Sequence, residues 1–288
     1  MEYLLHLLIL IGIYVMLAQS LSLSAGFGGM ISLAHAGFYG VGAYTAALLA
    51  VKCQAPFLVS LPIAMLLSGT LALGVAAIAL RTVDDYFVIC TLGIQVVVFS
   101  LMNNWMELTR GPLGIPGIPG IQLMGIAVEG KPAFLLLVVV LAALAFLAVK
   151  KLTDSSFGRT LRALSEDEIF TKSLGKNVYL TKLTAFTLGA MLAAVPGTLY
   201  AHYISYIDPT SFTLDESIFI LSIVILGGMR NLWGSVFAAA FLVLLPEALR
   251  FVGMPSAIAA NMRQIIYGGI LVLMMFRYGR EGENSRAH

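Results

Sequence analysis

The charged side chains that could do chemistry are concentrated in one part of the chain, residues 157–182. Charged residues make up only 11% of the whole sequence. The charged stretch nevertheless contains a dense mixture of both signs: Arg159, Arg162, Glu166, Asp167, Glu168, Lys172, Lys176 and Lys182. In a chain that is otherwise almost continuously apolar, such a polar stretch indicates a contact with something soluble.

The histidines and cysteines form no catalytic or metal-binding pattern. The sequence has no His-Glu-x-x-His, Gly-x-Ser-x-Gly or Gly-x-x-x-x-Gly-Lys-Ser/Thr motif. Cys53 and Cys90 have neither metal-ligand nor disulfide-framework spacing. We therefore predict that the chain is not an enzyme, with no catalytic residue, metal site or cofactor of its own, and that any energy from ATP must come from another subunit.

The composition is that of a membrane protein. Hydrophobic residues make up 59% of the chain and the mean hydropathy is +0.94, against roughly 45–50% apolar residues in soluble domains. A net charge of +2, without a basic stripe interleaved with aromatics, argues against nucleic acid as a partner. We expect one integral membrane domain over residues 1–288, whose first apolar segment is a retained helix and not a removed signal peptide.

The hydropathy pattern predicts an all-α, polytopic membrane protein of about nine transmembrane helices, each about 20 residues long. A glycine-rich break at residues 24–29 separates the first two, so the second helix is expected to be broken by glycine. The predicted spans are residues 4–23, 31–51, 57–80, 86–105, 133–149, 180–201, 214–229, 232–252 and 258–276.

The distribution of Lys and Arg predicts the orientation, because positively charged loops stay in the cytoplasm. Placing the charged stretch inside puts 12 of the 17 Lys and Arg residues there, together with the C-terminus, and leaves the N-terminus outside. A loop over residues 106–132, rich in Pro and Gly, is then extracytoplasmic. Two interpretations of this loop remain open: a rigid connection, or part of a docking surface or outer gate.

Glycine-rich residues 22–44 form the most unusual apolar segment. Glycines there permit close helix packing, or a discontinuous helix whose amides and polar side chains line a solute path. A second glycine break at residues 226–235 echoes the first, either as a remnant of duplication or by chance. The predicted topology places both breaks near the same face, which does not fit a simple inverted repeat. Candidate residues for the path are Ser24, Gly28, Gly29, Ser32 and Gln95.

Within the charged stretch, residues 160–174 have a helical pattern. Leu161, Leu164, Ile169 and Leu174 are its expected apolar anchors, and Gly175 is expected to end the helix. The segment is either a solvated loop or a short helix, parallel to the membrane, that seats in a groove of a soluble partner.

Four segments together resemble a known family. They are GFGGMISLAHAGFYGVGAYTAALL, YFVICTLGIQVVVFSLMNNWMELTRGPLGIPGIP, FGRTLRALSEDEIFTKSLGKNVYLTKLTAFTLGAMLAAVPGTLYA and ILGGMRNLWGSVFAAAF. In this combination and order, the chain resembles the permease subunits of ABC importers for branched-chain amino acids, a group that includes urea and short-amide permeases.

The resemblance implies a bacterial inner-membrane permease that pairs with a second, similar permease, with two ATP-binding subunits and an extracytoplasmic solute-binding protein. Residues 153–179 then correspond to the cytoplasmic coupling loop that docks on the ATPase. In the family's Glu-Ala-Ala…Gly pattern, Glu168 and Gly175 fit, whereas Ile169 and Phe170 replace the alanines. The candidate coupling residues are Arg159, Arg162, Glu166, Asp167, Glu168 and Gly175.

Alternatives remain open for both mechanism and substrate. The chain is either an ATP-gated half of an importer or a self-sufficient secondary transporter or channel. The absence of a run of ionisable residues deep in the predicted spans disfavours ion coupling, and the charged stretch favours a soluble partner. Branched-chain amino acids are the expected solutes, with urea or short amides as the alternative.

Overall fold

In a computed structural model, the structure describes residues 2–82, 84–123, 126–128, 130–251, 268, 269 and 272. The predicted ninth span, residues 258–276, and the C-terminal tail lie almost entirely outside the described residues.

The described chain is nearly all helix, which confirms the all-α prediction. Its helices are α1 Glu2–Leu21, α2 His35–Lys52, α3 Phe57–Ala79, α4 Asp84–Asn104, α5 Met106–Thr109, α6 Lys131–Asp154, α7 Ser156–Glu166, α8 Glu168–Ser173, α9 Val178–Ile204, α10 Leu214–Gly227 and α11 Leu232–Phe251. Four two-residue strands accompany them: β1 Ile115–Pro116, β2 Gln122–Leu123, β3 Ile126–Ala127 and β4 Tyr206–Ile207. Two antiparallel pairs result, β1 with β4 and β2 with β3.

Five helical segments are long and apolar enough to cross a membrane, as far as the described residues go: Glu2–Phe27, Phe57–Ala79, Tyr86–Asn104, Lys131–Asp154 and Val178–Ile204. Leu232–Glu247 is a shorter apolar helix. Their outward faces carry large apolar side chains, among them Leu66, Ile89, Leu147 and Phe237. A soluble protein would bury such faces, so they are suited to contact with lipid or another membrane subunit.

The first glycine break interrupts the chain between α1 and α2. α1 continues into a π-helical turn, Ser22–Phe27, after which Gly29 adopts φ +68°, a conformation that costs glycine little. The Met30 amide donates to the Ser24 carbonyl over 3.0 Å. Residues 28–34 have no regular structure. The next helix begins at His35, four residues after the start of the predicted second span.

α2 lies in the middle of the bundle and packs against α3, α4, α9 and α10. Glycines allow its backbone to approach α9 closely: a Cβ at Gly42 would overlap Ala194, and one at Gly197 would overlap the Tyr39 carbonyl oxygen. Small residues permit such contacts between helices in a membrane, where close packing replaces the hydrophobic effect as a driving force.

Polar contacts at one end of the bundle join the N-terminus to three other helices. Lys131 Nζ lies 3.0 Å from Glu2 Oε2, and His6 Nδ1 lies 2.6 Å from the Tyr203 hydroxyl. The Tyr3 hydroxyl also donates to Glu247 on α11. The start of α1 therefore lies level with the start of α6 and the ends of α9 and α11, as the predicted topology requires.

The Pro/Gly loop packs over the same end. Ile115, Ile118 and Ile121 are buried, the Ile118 amide donates to the Ser205 carbonyl over 3.2 Å, and His202 Nδ1 donates to the Pro119 carbonyl over 2.8 Å. These contacts hold the described part of the loop against the end of α9 in a series of turns.

Candidate coupling and translocation site

Two helices, α7 and α8, make up the middle of the predicted coupling loop, and they meet at Asp167. The prediction of one helix over residues 160–174 is therefore wrong. Asp167 has extended backbone angles, φ −150° and ψ 106°, and its Oδ1 accepts from the Phe170 amide over 2.8 Å. An aspartate in this position ends one helix and caps the next. Gly175 ends α8 as expected, with φ +76°.

α7 packs against the first glycine break. Its apolar face buries Leu161 and Leu164, two of the four expected apolar anchors. A Cβ on Gly28 would lie 3.3 Å from Leu161 Cδ1, and one on Gly29 would lie 3.1 Å from Ser165 Cβ. Side chains larger than hydrogen would therefore push α7 away from the break.

The guanidinium of Arg162 extends this contact. It lies 5.1 Å from the centroid of the Phe27 ring, within the range of a cation–π interaction. Its Nη2 also donates to the Thr153 carbonyl over 3.2 Å. Arg162, predicted as a coupling residue, thus contacts the last residue of the π-helical turn and the end of α6.

The second glycine break packs against the first. A Cβ on Gly26 would overlap the carbonyl oxygen of Met229. The next residue, Arg230, donates from Nη1 to Glu166 Oε1 over 2.6 Å and from Nη2 to Ser165 Oγ over 3.0 Å. We call the assembly of residues 26–29, 229–230 and 162–166 the glycine junction. Both breaks lie at one face of the bundle, as the sequence-based topology predicted.

α8 presents its apolar side chains outward. Ile169 is 83% exposed, Leu174 61% and Phe170 59%. Ile169 and Leu174, two of the four expected apolar anchors, are therefore not buried within the described chain. Glu168 pairs with Lys182 on α9, with 2.5 Å between Oε2 and Nζ.

The remaining predicted coupling residues lie on the surface of the loop. Arg159 is exposed, and its Nη1 donates to the Asp154 carbonyl over 3.4 Å. The Asp167 side chain is also exposed and forms the cap of α8. Arg159 therefore lies one turn before the junction, and Asp167 lies directly after it.

The predicted path residues fall into two groups. Ser24, Gly28 and Gly29 lie at or beside the glycine junction, and Ser24 Oγ donates to the Leu21 carbonyl over 3.2 Å. Ser32 follows in the break, where its Oγ accepts from the Ala34 amide over 3.2 Å.

Gln95 forms the other group, on α4. Its Oε1 accepts from the Gly37 amide over 2.7 Å, and its Nε2 donates to the Phe212 carbonyl over 2.8 Å. The side chain is 1% exposed. Gln95 thus links three parts of the fold: α4, the start of α2 and the turn before α10.

Residues 3–275 match the family described as branched-chain amino acid transport system / permease component. The chain belongs to this permease family.

Among its relatives, the high-affinity branched-chain amino acid transport system permease protein LivM of Escherichia coli (strain K12) is 36% identical over 286 residues, which cover 91% of this chain and 66% of the relative. The corresponding LivM of Salmonella typhimurium gives the same identity and coverage. High-affinity permease protein LivH of Salmonella typhimurium is 23% identical over 278 residues, or 91% of this chain and 88% of the relative. The chain thus spans just under two thirds of the LivM proteins' length. No solved structure matches it.

Sequence reasoning missed Arg230 and Ser165, which contact each other in the glycine junction. The available signal was a basic side chain within the second glycine break, on the face where the topology placed the acidic part of the predicted coupling loop. Among the residues that the structure describes, no group of His, Cys, Asp or Glu side chains could hold a metal ion.

Proposed function

We propose that this permease is the membrane-spanning subunit of an ABC importer and forms the translocation path for branched-chain amino acids. The observation that carries the proposal is α8, a short helix outside the candidate spans that exposes Ile169 and Phe170, together with the exposed Leu174 that follows it. Water is a poor environment for such a cluster, and a groove in a soluble partner would cover it. The names of the LivM and LivH relatives support a branched-chain amino acid as the solute.

The partners follow from this assignment. Two ATP-binding subunits hydrolyse ATP, so the chain itself uses no cofactor and is not an enzyme. A second, homologous permease completes the path, and an extracytoplasmic solute-binding protein delivers the solute. The lipid bilayer covers the outward apolar faces, and nucleic acid is not a partner.

The proposed topology has about nine spans in a single domain, residues 1–288, in a bacterial inner membrane. The coupling loop, residues 153–179, and the C-terminus face the cytoplasm. The N-terminus and the Pro/Gly loop, residues 106–132, face outward. The glycine break enters the second span and divides it from α1.

Coupling proceeds through the glycine junction. Only Asp167 separates α7 from α8. An ATPase that binds α8 and moves it therefore also displaces α7. α7 transmits the displacement through Glu166 to Arg230 and through Arg162 to Phe27, and so acts on both glycine breaks. The breaks then open or close a path lined by Ser24, Gly28, Gly29 and Ser32. Gln95 borders this path as a buried support that holds α4 to α2 and does not contact the solute. Arg159 and Gly175 set the position of the loop on the ATPase.

Reconstitution tests this function. Liposomes containing the chain, its second permease, the ATP-binding subunits and the solute-binding protein should take up labelled leucine on addition of ATP, and labelled urea far more slowly. Liposomes containing the chain alone are the control and should take up neither. Uptake by the chain alone would show a self-sufficient transporter or channel. ATP-driven uptake of urea without uptake of leucine would identify urea or short amides as the substrates.

A further inference from the structure

A cleft of about 660 Å³ lies beside α8, between the end of α3 and the start of α9. Its described lining includes four basic side chains and one carboxylate: Arg81, Lys172, Lys176, Lys182 and Glu168. The cleft is separate from the glycine junction, and the proposed coupling mechanism does not use its basic side chains.

Most of this positive charge is not neutralised within the described chain. Lys182 pairs with Glu168, whereas the side chains of Arg81, Lys172 and Lys176 form no ion pair or hydrogen bond with another described residue and are exposed. Like charges held around one concave surface repel each other and raise the local concentration of anions. The cleft is therefore suited to a ligand with a compact negative charge.

The position of the cleft indicates which anion. α3 and α9 are both candidate membrane spans, and the cleft lies where one ends and the other begins, at the level of the lipid headgroups. Tyr179, at its edge, and Tyr86, at the start of α4, are exposed, and tyrosines are enriched at this depth.

Exposed apolar side chains continue from the cleft along the spans. Ile78 is 69% exposed in the last turn of α3, and Leu180 is 51% exposed in the first turn of α9. A ligand bound through a phosphate in the cleft could therefore lay acyl chains along these helices. A free anion would leave the apolar surfaces uncovered.

We propose that this cleft binds the headgroup of an anionic phospholipid from the leaflet at that end of the bundle. The lipid phosphate is held by Arg81 from the α3 side and by Lys172 and Lys176 from the side of α8 and the turn after it. Basic pockets at the cytoplasmic ends of membrane helices are suited to such headgroups. Bound there, the lipid would link α8 to the membrane beside the proposed ATPase contact.

The test compares lipid retention by the purified full-length chain. Mixed micelles of phosphatidylglycerol and phosphatidylcholine are equilibrated with each of three proteins: wild type, the variant R81Q/K176Q and the control K150Q/K151Q. Native mass spectrometry then measures the lipid retained on each protein. Lys150 and Lys151 are exposed on α6, outside the cleft, so the control removes the same charge near the same end of the bundle. Thermal unfolding in detergent verifies that each variant is folded, and K172Q/K176Q replaces R81Q/K176Q if the latter is not.

Wild type and K150Q/K151Q should retain phosphatidylglycerol in preference to phosphatidylcholine, and R81Q/K176Q should lose this preference about tenfold or more, because each basic residue contributes to attraction of anionic lipid. Equal preference in all three proteins would overturn the proposal. Displacement of phosphatidylglycerol by millimolar inorganic phosphate would show a free-anion site instead, and displacement by the ATP-binding subunits would show a protein contact. The assay measures no uptake, so its result does not depend on the proposed transport.

Discussion

Arg230 and Glu166 lie 64 residues apart in the chain and form an ion pair, with 2.6 Å between Nη1 and Oε1. The pair joins the second glycine break to the last residue of α7. Its side chains are 43% and 65% exposed, and ion pairs of this kind contribute only about 0–1 kcal/mol to folding. We therefore expect the pair to matter less for stability than for transmitting movement from the proposed coupling loop to the glycine breaks.

Arg230→Gln should reduce ATP-driven uptake about tenfold or more while changing the unfolding temperature by no more than about 4 °C, since about 1 kcal/mol or less of stability is at stake. Uptake and ATP hydrolysis are measured in the same liposomes, where hydrolysis should continue without uptake. Lys131→Gln, which breaks the pair with Glu2 at the other end of the bundle, is the control and should leave coupling intact. Restored uptake in the charge-swapped variant R230E/E166R would identify the pair itself as the link, and normal uptake by Arg230→Gln would refute its role.

Gly26→Ala should prevent the two glycine breaks from packing together, because the added Cβ would overlap the Met229 carbonyl oxygen. Overpacking costs typically about 1–3 kcal/mol, and here the obstacle is backbone and cannot move by rotating a side chain. Thermal unfolding in detergent should show a clear loss of stability. The matched control is Gly93→Ala, also in a helix, where nothing lies within 4 Å of the new Cβ; it should unfold at the same or a higher temperature. Equal effects of the two variants would contradict the packing of the breaks.

The hydropathy and glycine patterns predicted much of this architecture, because segments long enough to cross a membrane and backbone positions that require glycine are local properties. Helices overlap the first eight predicted spans, both glycine breaks lie at one face, and Gly175 ends α8. The helix boundary at Asp167 was missed because an aspartate can lie on the surface of a helix as well as cap a new one, and only its bond to the Phe170 amide distinguishes the two. The contact between Arg230 and Glu166 depends on how distant helices pack, which spacing along one segment does not encode.

Gln95→Leu should destabilise the fold without removing a solute contact. Leucine can neither accept from the Gly37 amide nor donate to the Phe212 carbonyl, so two buried backbone groups lose their partners. Each such loss costs about 1–3 kcal/mol in a protein core, and less where membrane helices find other partners. The unfolding temperature should fall, while the leucine concentration for half-maximal uptake stays unchanged. Ser100→Ala, on the exposed face of α4, is the control. A changed half-maximal concentration with unchanged stability would instead place Gln95 on the path.

Gly175→Pro should uncouple ATP hydrolysis from uptake. Gly175 has φ +76°, whereas proline is restricted to about −65°, so the turn from α8 into α9 must change. Space is not the obstacle, because nothing lies within 4 Å of a Cβ at this position. Gly175→Asn is therefore the matched control: asparagine tolerates positive φ and should retain most of the coupled uptake. Uptake by Gly175→Pro at the wild-type rate would show that the geometry of this turn is not needed.

Phe170→Ser should weaken binding of the ATP-binding subunits without affecting the fold of the permease. The side chain is 59% exposed, so its removal costs the isolated chain little, whereas a buried aromatic contact in a complex contributes about 2 kcal/mol or more. Association measured by co-purification from detergent should fall about thirtyfold, and ATP-driven uptake should fall with it. Leu113→Ser is the control, because Leu113 is 67% exposed in the Pro/Gly loop at the opposite end of the bundle; it should bind the ATP-binding subunits as wild type does. Unchanged association by Phe170→Ser and Ile169→Ser alike would show that α8 is simply solvated and that the ATPase docks elsewhere.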